Sequence, residues 1–141
     1  MDIRKKITYL KRKYGTDSPY EIADQMDVRV IWEELGTING YYNKQLRMKQ
    51  IHINTAISEH MQRYTCAHEL GHAVLHPDAN TPFLRQNTLL SVDKMEIEAN
   101  KFALELLISD EELMEYATID QAAKALGYAE NLIQLRLSTF P

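Results

Sequence analysis

The segment from His68 to His72 constrains this chain more than any other, because it matches the H-E-x-x-H pattern. Two imidazoles four residues apart lie on the same face of a helix and can bind one zinc ion. Glu69 projects from the same turn, where its carboxylate can accept a proton from a water molecule that the metal activates. The pattern predicts a zinc-dependent hydrolytic site, most often one that acts on peptide bonds.

The residues on both sides of this motif predict an amphipathic helix. Apolar and motif residues recur at helical spacing from Met61 to Leu75, and Pro77 follows a helix expected at about 58–76. The alternative is a pair of ordinary histidines on a half-buried helix, since the five-residue pattern arises by chance with a probability on the order of one per cent. A third ligand on a second helix would therefore favour the zinc site over a pair of ordinary histidines.

A catalytic zinc site usually has three protein ligands and one water molecule, so a third ligand is needed. His76 is two helical turns from His68, and their Cα atoms would lie about 12 Å apart on a straight helix, too far to share one ion. Asp78 stands where proteins with the longer H-E-x-x-H-x-x-G-x-x-H pattern have their last ligand. Here Leu75 replaces the glycine that lets the chain turn in those proteins.

Glu96, on a second predicted helix, is the third candidate. It shares one stripe of that helix with Asn100, whose side chain can hydrogen-bond a ligand imidazole and fix its tautomer. The small residues Ala99 and Ala103 would let the two helices approach closely. Glu98 is the neighbouring alternative, but it points about 200° around the helix from Glu96, which is therefore preferred. The simplest alternative for both glutamates is solvated helix surface.

The whole sequence predicts a single α+β metallopeptidase domain over residues 1–141, because 45% of 141 residues are hydrophobic and can form one core. Its parts are N-terminal helices and a sheet in 1–56, zinc-binding helices in 57–108 and a helical tail in 109–141. Strands are expected at 28–33, 41–42 and 49–54, outer helices at 2–14, 18–26 and 129–139, a loop at 77–90 and the second zinc helix at 93–108. We expect a small, mainly antiparallel three-stranded sheet packed on the zinc helix, with helices around it.

Capping patterns mark several helix ends. Capping boxes are predicted at 18–21, 109–112 and 118–121, and Gly127 is placed to end the helix that begins at Thr118. The tail 119–137 has the apolar spacing of a helix-turn-helix, but its basic residues are Lys124 and Arg136 alone. We therefore expect the tail to pack on the rest of the domain or to hold a partner rather than to bind DNA.

Composition limits the location and the partners of the protein. The net charge of −4 argues against a broad nucleic-acid-binding surface, and the basic residues of the first helix are interpreted as a solvated face. Cys66 is the only cysteine, so no internal disulfide can form and a reducing compartment is consistent. No secretion signal or membrane-spanning stretch is recognised, which predicts a soluble cytoplasmic protein with no membrane partner and no direct nucleic-acid partner.

Residues 68–76 and 96–107, together with the shorter segments 18–23 and 51–54, resemble the ImmA/IrrE family of metallopeptidases over nearly the whole chain. The two helix motifs are specific when they occur together, whereas the two short segments are weak alone. The resemblance implies a zincin-like fold in which Zn²⁺ is bound by His68, His72 and Glu96. It also implies that Glu69 is the general base and that Asn100 supports the ligands from outside.

The resemblance also implies a substrate. Family members are regulators encoded with a helix-turn-helix repressor, often on prophages or integrative elements, and act as anti-repressors by cleaving it; others act in stress responses. The expected function is therefore zinc-dependent endopeptidase activity on a helix-turn-helix transcriptional repressor of a mobile element or stress regulon. The alternative is a non-proteolytic protein that binds a regulator and uses zinc structurally. Glu69 favours the enzyme, since a structural site needs no base.

Catalysis also needs a donor to the oxyanion and a surface that holds the substrate backbone. An oxyanion needs a donor in addition to the metal, and Tyr64, Tyr41 and Tyr42 are candidates that no pattern separates. Zincin-like enzymes often hold the substrate backbone as an added strand on an exposed sheet edge. The strand at 51–54, which precedes the zinc helix, is the expected edge.

Overall fold

The computed structural model of the chain describes residues 2–81 and 89–140. The helices in these ranges are α1 (Ile3–Tyr14), α2 (Pro19–Gln25), α3 (Glu59–Leu75), α4 (Leu89–Leu107), α5 (Asp110–Met114), α6 (Ile119–Leu126) and α7 (Glu130–Leu137). The strands are β1 (Val28–Glu33), β2 (Gly40–Gln45) and β3 (Met48–Asn54). The predicted α+β class, with a small sheet beside the helix that carries the H-E-x-x-H motif, is confirmed.

The sheet has the order β1-β3-β2 and is mixed, which corrects the prediction of a mainly antiparallel sheet. β2 and β3 form an antiparallel hairpin, whereas β1 and β3 are parallel. The mixed order arises because the segment 34–39 leads from β1 to β2 and leaves room for one strand between them. The hairpin then places β3 in that position, beside both strands. Asn54 holds this crossing, since its Nδ2 donates to the carbonyl oxygens of Gly36 and Ile38.

β3 is the central strand, so the prediction that its residues 51–54 form the exposed edge for a substrate is wrong. Its backbone pairs with β1 on one side and with β2 on the other. Side-chain alternation in the sequence predicts which face of a strand is buried, but it does not predict which strands are neighbours. The edges of this sheet are β1 and β2.

The buried face of the sheet packs against α3. Ile51 and Ile53 are fully buried in one cluster with Ala67 and Leu70. His52 points to the opposite face, as predicted, where its ring stacks on Tyr41. The core thus lies between the sheet and α3, and α3 is an interior helix along much of its length.

Small residues bring α3 and α4 into close contact. A Cβ atom added at Gly71 would lie 3.2 Å from the Ala99 Cα and 3.2 Å from the Phe102 side chain. Ala99 and Ala103 are fully buried, which agrees with the predicted close approach. Gly71 is a variable position of the H-E-x-x-H pattern, and its packing role was not predicted.

The predicted boundaries of α3 agree with the structure, whereas those of α4 differ. The Ser58 side chain accepts a hydrogen bond from the Met61 N–H at the start of α3, and His76 follows its last turn. α4 begins at Leu89, four residues before the predicted start at 93. The loop predicted at 77–90 lies partly outside the described residues.

The C-terminal helices pack on α4, as expected for the tail. Leu104 and Ile108 form a second buried cluster with residues of α5, α6 and α7. Ser109 and Glu112 form the predicted capping box, and Gly127 ends α6 with a φ of 78°. At the start of α3, His60 Nε2 lies 2.9 Å from the Gly127 carbonyl oxygen, which ties the tail to this helix.

A membrane-crossing helix is absent from residues 2–81 and 89–140, where none has both the length and the apolar character that a bilayer requires.

Arg136 links the tail to α4 through a buried ion pair, and we expect the Arg136→Met variant to lose about 3 kcal/mol of unfolding free energy. Its side chain is 1% exposed, donates to the Ile108 carbonyl oxygen and lies 3.3 Å from Glu105 Oε1. Removing the guanidinium leaves a buried carboxylate with one cationic partner fewer. Urea unfolding measures the loss, with exposed Arg12→Met as the matched control. Equal stability of the two variants would contradict this role.

Candidate metal centre

Three residues of the H-E-x-x-H motif are buried together on the inner side of α3. His68, Glu69 and His72 are 8%, 2% and 1% exposed, and their ligand atoms all lie within 4.8 Å of one another. Charged and polar side chains are rarely buried unless they are paired or bind a metal. Because α3 packs against the sheet and α4, the motif lies inside the protein and has little contact with bulk water.

Glu96 reaches this group from α4. Its Oε2 lies 3.1 Å from His68 Nε2, and its Oε1 lies 2.7 Å from His72 Nε2. The structure therefore brings together the three residues that the sequence predicts as zinc ligands, from two packed helices. Two imidazole nitrogens and a carboxylate form one of the donor sets that catalytic zinc uses.

Asn100 lies one turn after Glu96 and contacts the other nitrogen of His68. Its Oδ1 accepts hydrogen bonds from His68 Nδ1 and from the Tyr64 hydroxyl, both at 2.7 Å. An amide oxygen can only accept, so Nδ1 of His68 carries a proton, and a metal ion held beside Glu96 would take the lone pair of Nε2. This is the contact that the sequence predicted for Asn100.

The electrostatics of the group favour positive charge at its centre. Burial by itself lowers the pKa of His68, but the nearby carboxylates of Glu69 and Glu96 outweigh it and raise the pKa. Burial would raise the pKa of Glu96, but hydrogen bonds from His68 and His72 hold that pKa well below its usual range. A divalent cation between these groups would meet the same carboxylates, so the donor set fits a metal ion in both geometry and charge.

The other predicted ligand candidates are paired with different side chains. Asp78 is exposed and pairs with Lys44 Nζ at 2.8 Å. His76 and Glu98 contact each other, with 3.3 Å between His76 Nε2 and Glu98 Oε1. Cys66 is fully buried, and burial raises its pKa to about 12.

His76 also contacts the second nitrogen of His72, which was not predicted. The two Nδ1 atoms are 3.1 Å apart. Burial lowers the pKa of His76, which favours its neutral form. The four-residue spacing from His72 to His76 was the available signal, since residues at this spacing are neighbours on a helix surface.

A cleft of about 310 Å³ opens beside His68 and Glu69. Its remaining walls are formed by the segment 34–39, by the start of β2 and by polar residues of α3 and α4. These wall residues are Thr37, Ile38, Asn39, Gly40, Tyr64, Thr65 and Asn100. Gly40 lies so close to α3 that an added Cβ would be 2.6 Å from Thr65 Cγ2. The start of β2 is thus the sheet edge nearest to the motif.

The three tyrosines considered as oxyanion donors occupy different places. Tyr64 lines the cleft, and burial raises its pKa, so its phenol stays protonated at neutral pH. Tyr42 is fully buried and its hydroxyl donates to the Pro77 carbonyl oxygen at 2.6 Å. Tyr41 stacks on His52 on the far face of the sheet.

An H-E-x-x-H helix packed on a second helix that supplies a carboxylate is the arrangement of zincin-like metallopeptidases. The sequence model of the IrrE N-terminal-like domain family, Peptidase_M78, matches residues 23–138, and the chain belongs to this metallopeptidase family. The family predicted from the sequence is confirmed.

Two relatives agree with this assignment. The chain is 42% identical over 139 residues to the "Uncharacterized immunity region protein 2" of Bacillus phage phi105, covering 95% of this chain and 88% of the phage protein. It is 34% identical over 115 residues to the "Metallopeptidase ImmA" of Bacillus subtilis (strain 168), covering 80% of this chain and 67% of that protein. The similarity to both relatives thus extends over most of the chain.

Proposed function

We propose that this protein is a zinc-dependent endopeptidase that hydrolyses a peptide bond in a helix-turn-helix transcriptional repressor. The convergence of His68 Nε2, His72 Nε2 and the Glu96 carboxylate from two helices carries the proposal. Zn²⁺ is the proposed cofactor because two imidazoles and a carboxylate suit it. When bound there, zinc would acidify a water molecule and polarise the substrate carbonyl.

Glu69 is the proposed general base. Its Oε2 lies 3.9 Å from His68 Nε2, on the side of the group that borders the cleft. At this position the carboxylate can accept a proton from the attacking water and deliver it to the leaving amine. Asn100 keeps His68 in the ligand tautomer, and Tyr64 is the proposed donor to the developing negative charge on the substrate.

The start of β2, rather than β3, is the proposed binding edge for the substrate backbone. Gly40 lines the cleft, and an extended peptide could pair with an edge strand at this point. Further along β2, Thr81 Oγ1 accepts from the Tyr42 N–H and donates to the Tyr42 carbonyl oxygen, both at 3.1 Å. This contact covers the edge at Tyr42 and leaves the Gly40 end as the proposed site of strand addition.

The repressor is proposed as the substrate on the basis of the family and the relatives. One relative is named as an immunity region protein of a phage, and the other is named as a metallopeptidase. Cleavage of a repressor by such an enzyme in the cytoplasm would release prophage or mobile-element genes, which is an anti-repressor function. The net charge of −4 favours a protein partner over direct DNA binding.

Co-expression with a helix-turn-helix repressor from the same genetic element tests this proposal. We expect the repressor to be cut, and ortho-phenanthroline to suppress the cut because it removes zinc. The matched control is meta-phenanthroline, which has the same rings but does not chelate. Stable complex formation without a cut would instead favour the non-proteolytic, structural-zinc alternative, and a cut that resists the chelator would contradict metal catalysis.

A further inference from the structure

His72 is contacted on both ring nitrogens by polar side chains. Its Nε2 faces Glu96 at 2.7 Å, and its Nδ1 faces His76 Nδ1 at 3.1 Å. On the far side of His76, Nε2 lies 3.3 Å from Glu98 Oε1. The side chains thus form an unbroken series from the Glu98 carboxylate through His76 to the ring of His72.

The order of protons along this series follows from hydrogen-bond chemistry. A carboxylate accepts only, so His76 must carry its proton on Nε2 to donate to Glu98. The Nδ1 of neutral His76 is then an acceptor, placed 3.1 Å from His72 Nδ1 to receive a proton from that nitrogen. With a metal ion bound, the lone pair of His72 Nε2 would be directed at the ion, at the nitrogen that otherwise donates to Glu96.

The end of α3 makes this contact possible. His76 is the residue after the helix, and its φ of −133° and ψ of 59° depart from helical values. Its N–H still donates to the His72 carbonyl oxygen at 2.7 Å, so its ring stays over the preceding turn. His76, which is too far from His68 on a straight helix to share its metal ion, therefore contacts the proposed ligand His72.

We propose that His76 is a positioning residue that, together with Glu98, orients His72 and fixes its metal-binding tautomer. This inference rests on the proposed zinc function. It places His76 in the role toward His72 that Asn100 has toward His68, since each residue contacts the Nδ1 of one imidazole. α4 then supports both histidines through Asn100 and Glu98, in addition to Glu96 between them.

The zinc dissociation constant, measured by competition with a chromogenic chelator on the full chain, tests this role without recourse to activity. We expect His76→Phe to bind zinc about 10- to 100-fold more weakly than the wild type, as for the loss of other hydrogen-bond partners of metal-bound histidines. His76→Asn offers an amide oxygen near the position of Nδ1 and should recover most of the affinity. Glu98→Ala should weaken binding by a smaller factor, because His76 remains in place.

Two controls separate positioning from general damage to the fold. His52→Phe removes a histidine that pairs with Glu33 at 2.9 Å on the far face of the sheet, and zinc affinity should not change. The melting temperature of each metal-free variant shows whether a lower affinity reflects unfolding. Should His76→Phe not fold, Glu98→Ala and His76→Asn decide the matter, since both leave a polar group or the ring at this position.

The outcomes distinguish this inference from the function on which it rests. Wild-type zinc affinity in folded His76→Phe and Glu98→Ala would overturn the positioning role and leave the zinc site standing. Failure of the wild-type protein to bind one zinc ion per chain would overturn both. Weaker binding in His76→Phe with recovery in His76→Asn would support the inference, because simple loss of packing would not be repaired by a shorter polar side chain.

Discussion

Glu69→Gln is expected to abolish peptide hydrolysis while the protein still binds one zinc ion per chain. The amide has the shape of the carboxylate but cannot accept a proton at neutral pH, so the rate should fall by at least about a hundredfold. The Glu69 side chain is 3% exposed, and an isosteric replacement keeps the packing of α3 on the sheet. Cleavage of the repressor and metal content, both measured on the same preparation, check the two parts of this expectation.

Glu59→Gln is the matched control, since it makes the same change in the exposed first turn of the same helix. Its cleavage rate and zinc content should equal those of the wild type. Activity of Glu69→Gln near that of this control would remove Glu69 from the general-base role. Loss of zinc from Glu69→Gln would instead indicate that Glu69 is itself a ligand.

The Glu96→Gln variant should bind zinc at least about 100-fold more weakly, because the loss of a ligand should cost more than the loss of a residue that only hydrogen-bonds one. It exchanges a charged ligand for a weak neutral one at the point where both histidines converge. The pKa of Glu96 is lowered, so its contribution to folding stability is present above the ordinary pKa of a carboxyl group and is lost as the pH falls through its folded-state value. At neutral pH the variant should therefore also unfold at a somewhat lower temperature than the wild type.

Chelator competition at neutral pH measures the affinity, and Glu115→Gln, on the surface beyond α5, provides the control. Glu115→Gln should bind zinc like the wild type. Unchanged affinity in Glu96→Gln would show that another group completes the site, and it would remove the two-helix ligand set from the proposal.

The parts of the site that the sequence predicted are those governed by the period of a helix. Residues four apart share a face, so the pairing of His68 with His72 and of Glu96 with Asn100 followed from spacing alone. The position of each residue within its helix also distinguished Glu96 from Glu98. The sequence did not predict that Glu98 would contact His76, because that contact depends on how the chain leaves α3.

The order of the strands was not predictable in the same way. Alternation along β3 placed Ile51 and Ile53 on the buried face, but the neighbours of a strand depend on pairing between distant segments. The hairpin return that inserts β3 beside β1 is stabilised by Asn54, whose amide bridges carbonyl groups in 34–39. A single asparagine at the end of a strand pattern does not reveal such a bridge, so the sequence predicts an edge strand where the structure has the central strand.

The attachment of the tail to α3 has a consequence for how the chain can be altered. The ring of Tyr128 lies 4.7 Å from that of His60 and 5.7 Å from that of Tyr64, whose hydroxyl leads through Asn100 to His68. A deletion that removes 127–140 would remove Tyr128, which is three contacts from a proposed metal ligand along this route. The segment from Gly127 through the last helix therefore supports the metal centre indirectly, and a protein shortened there would have a differently supported site.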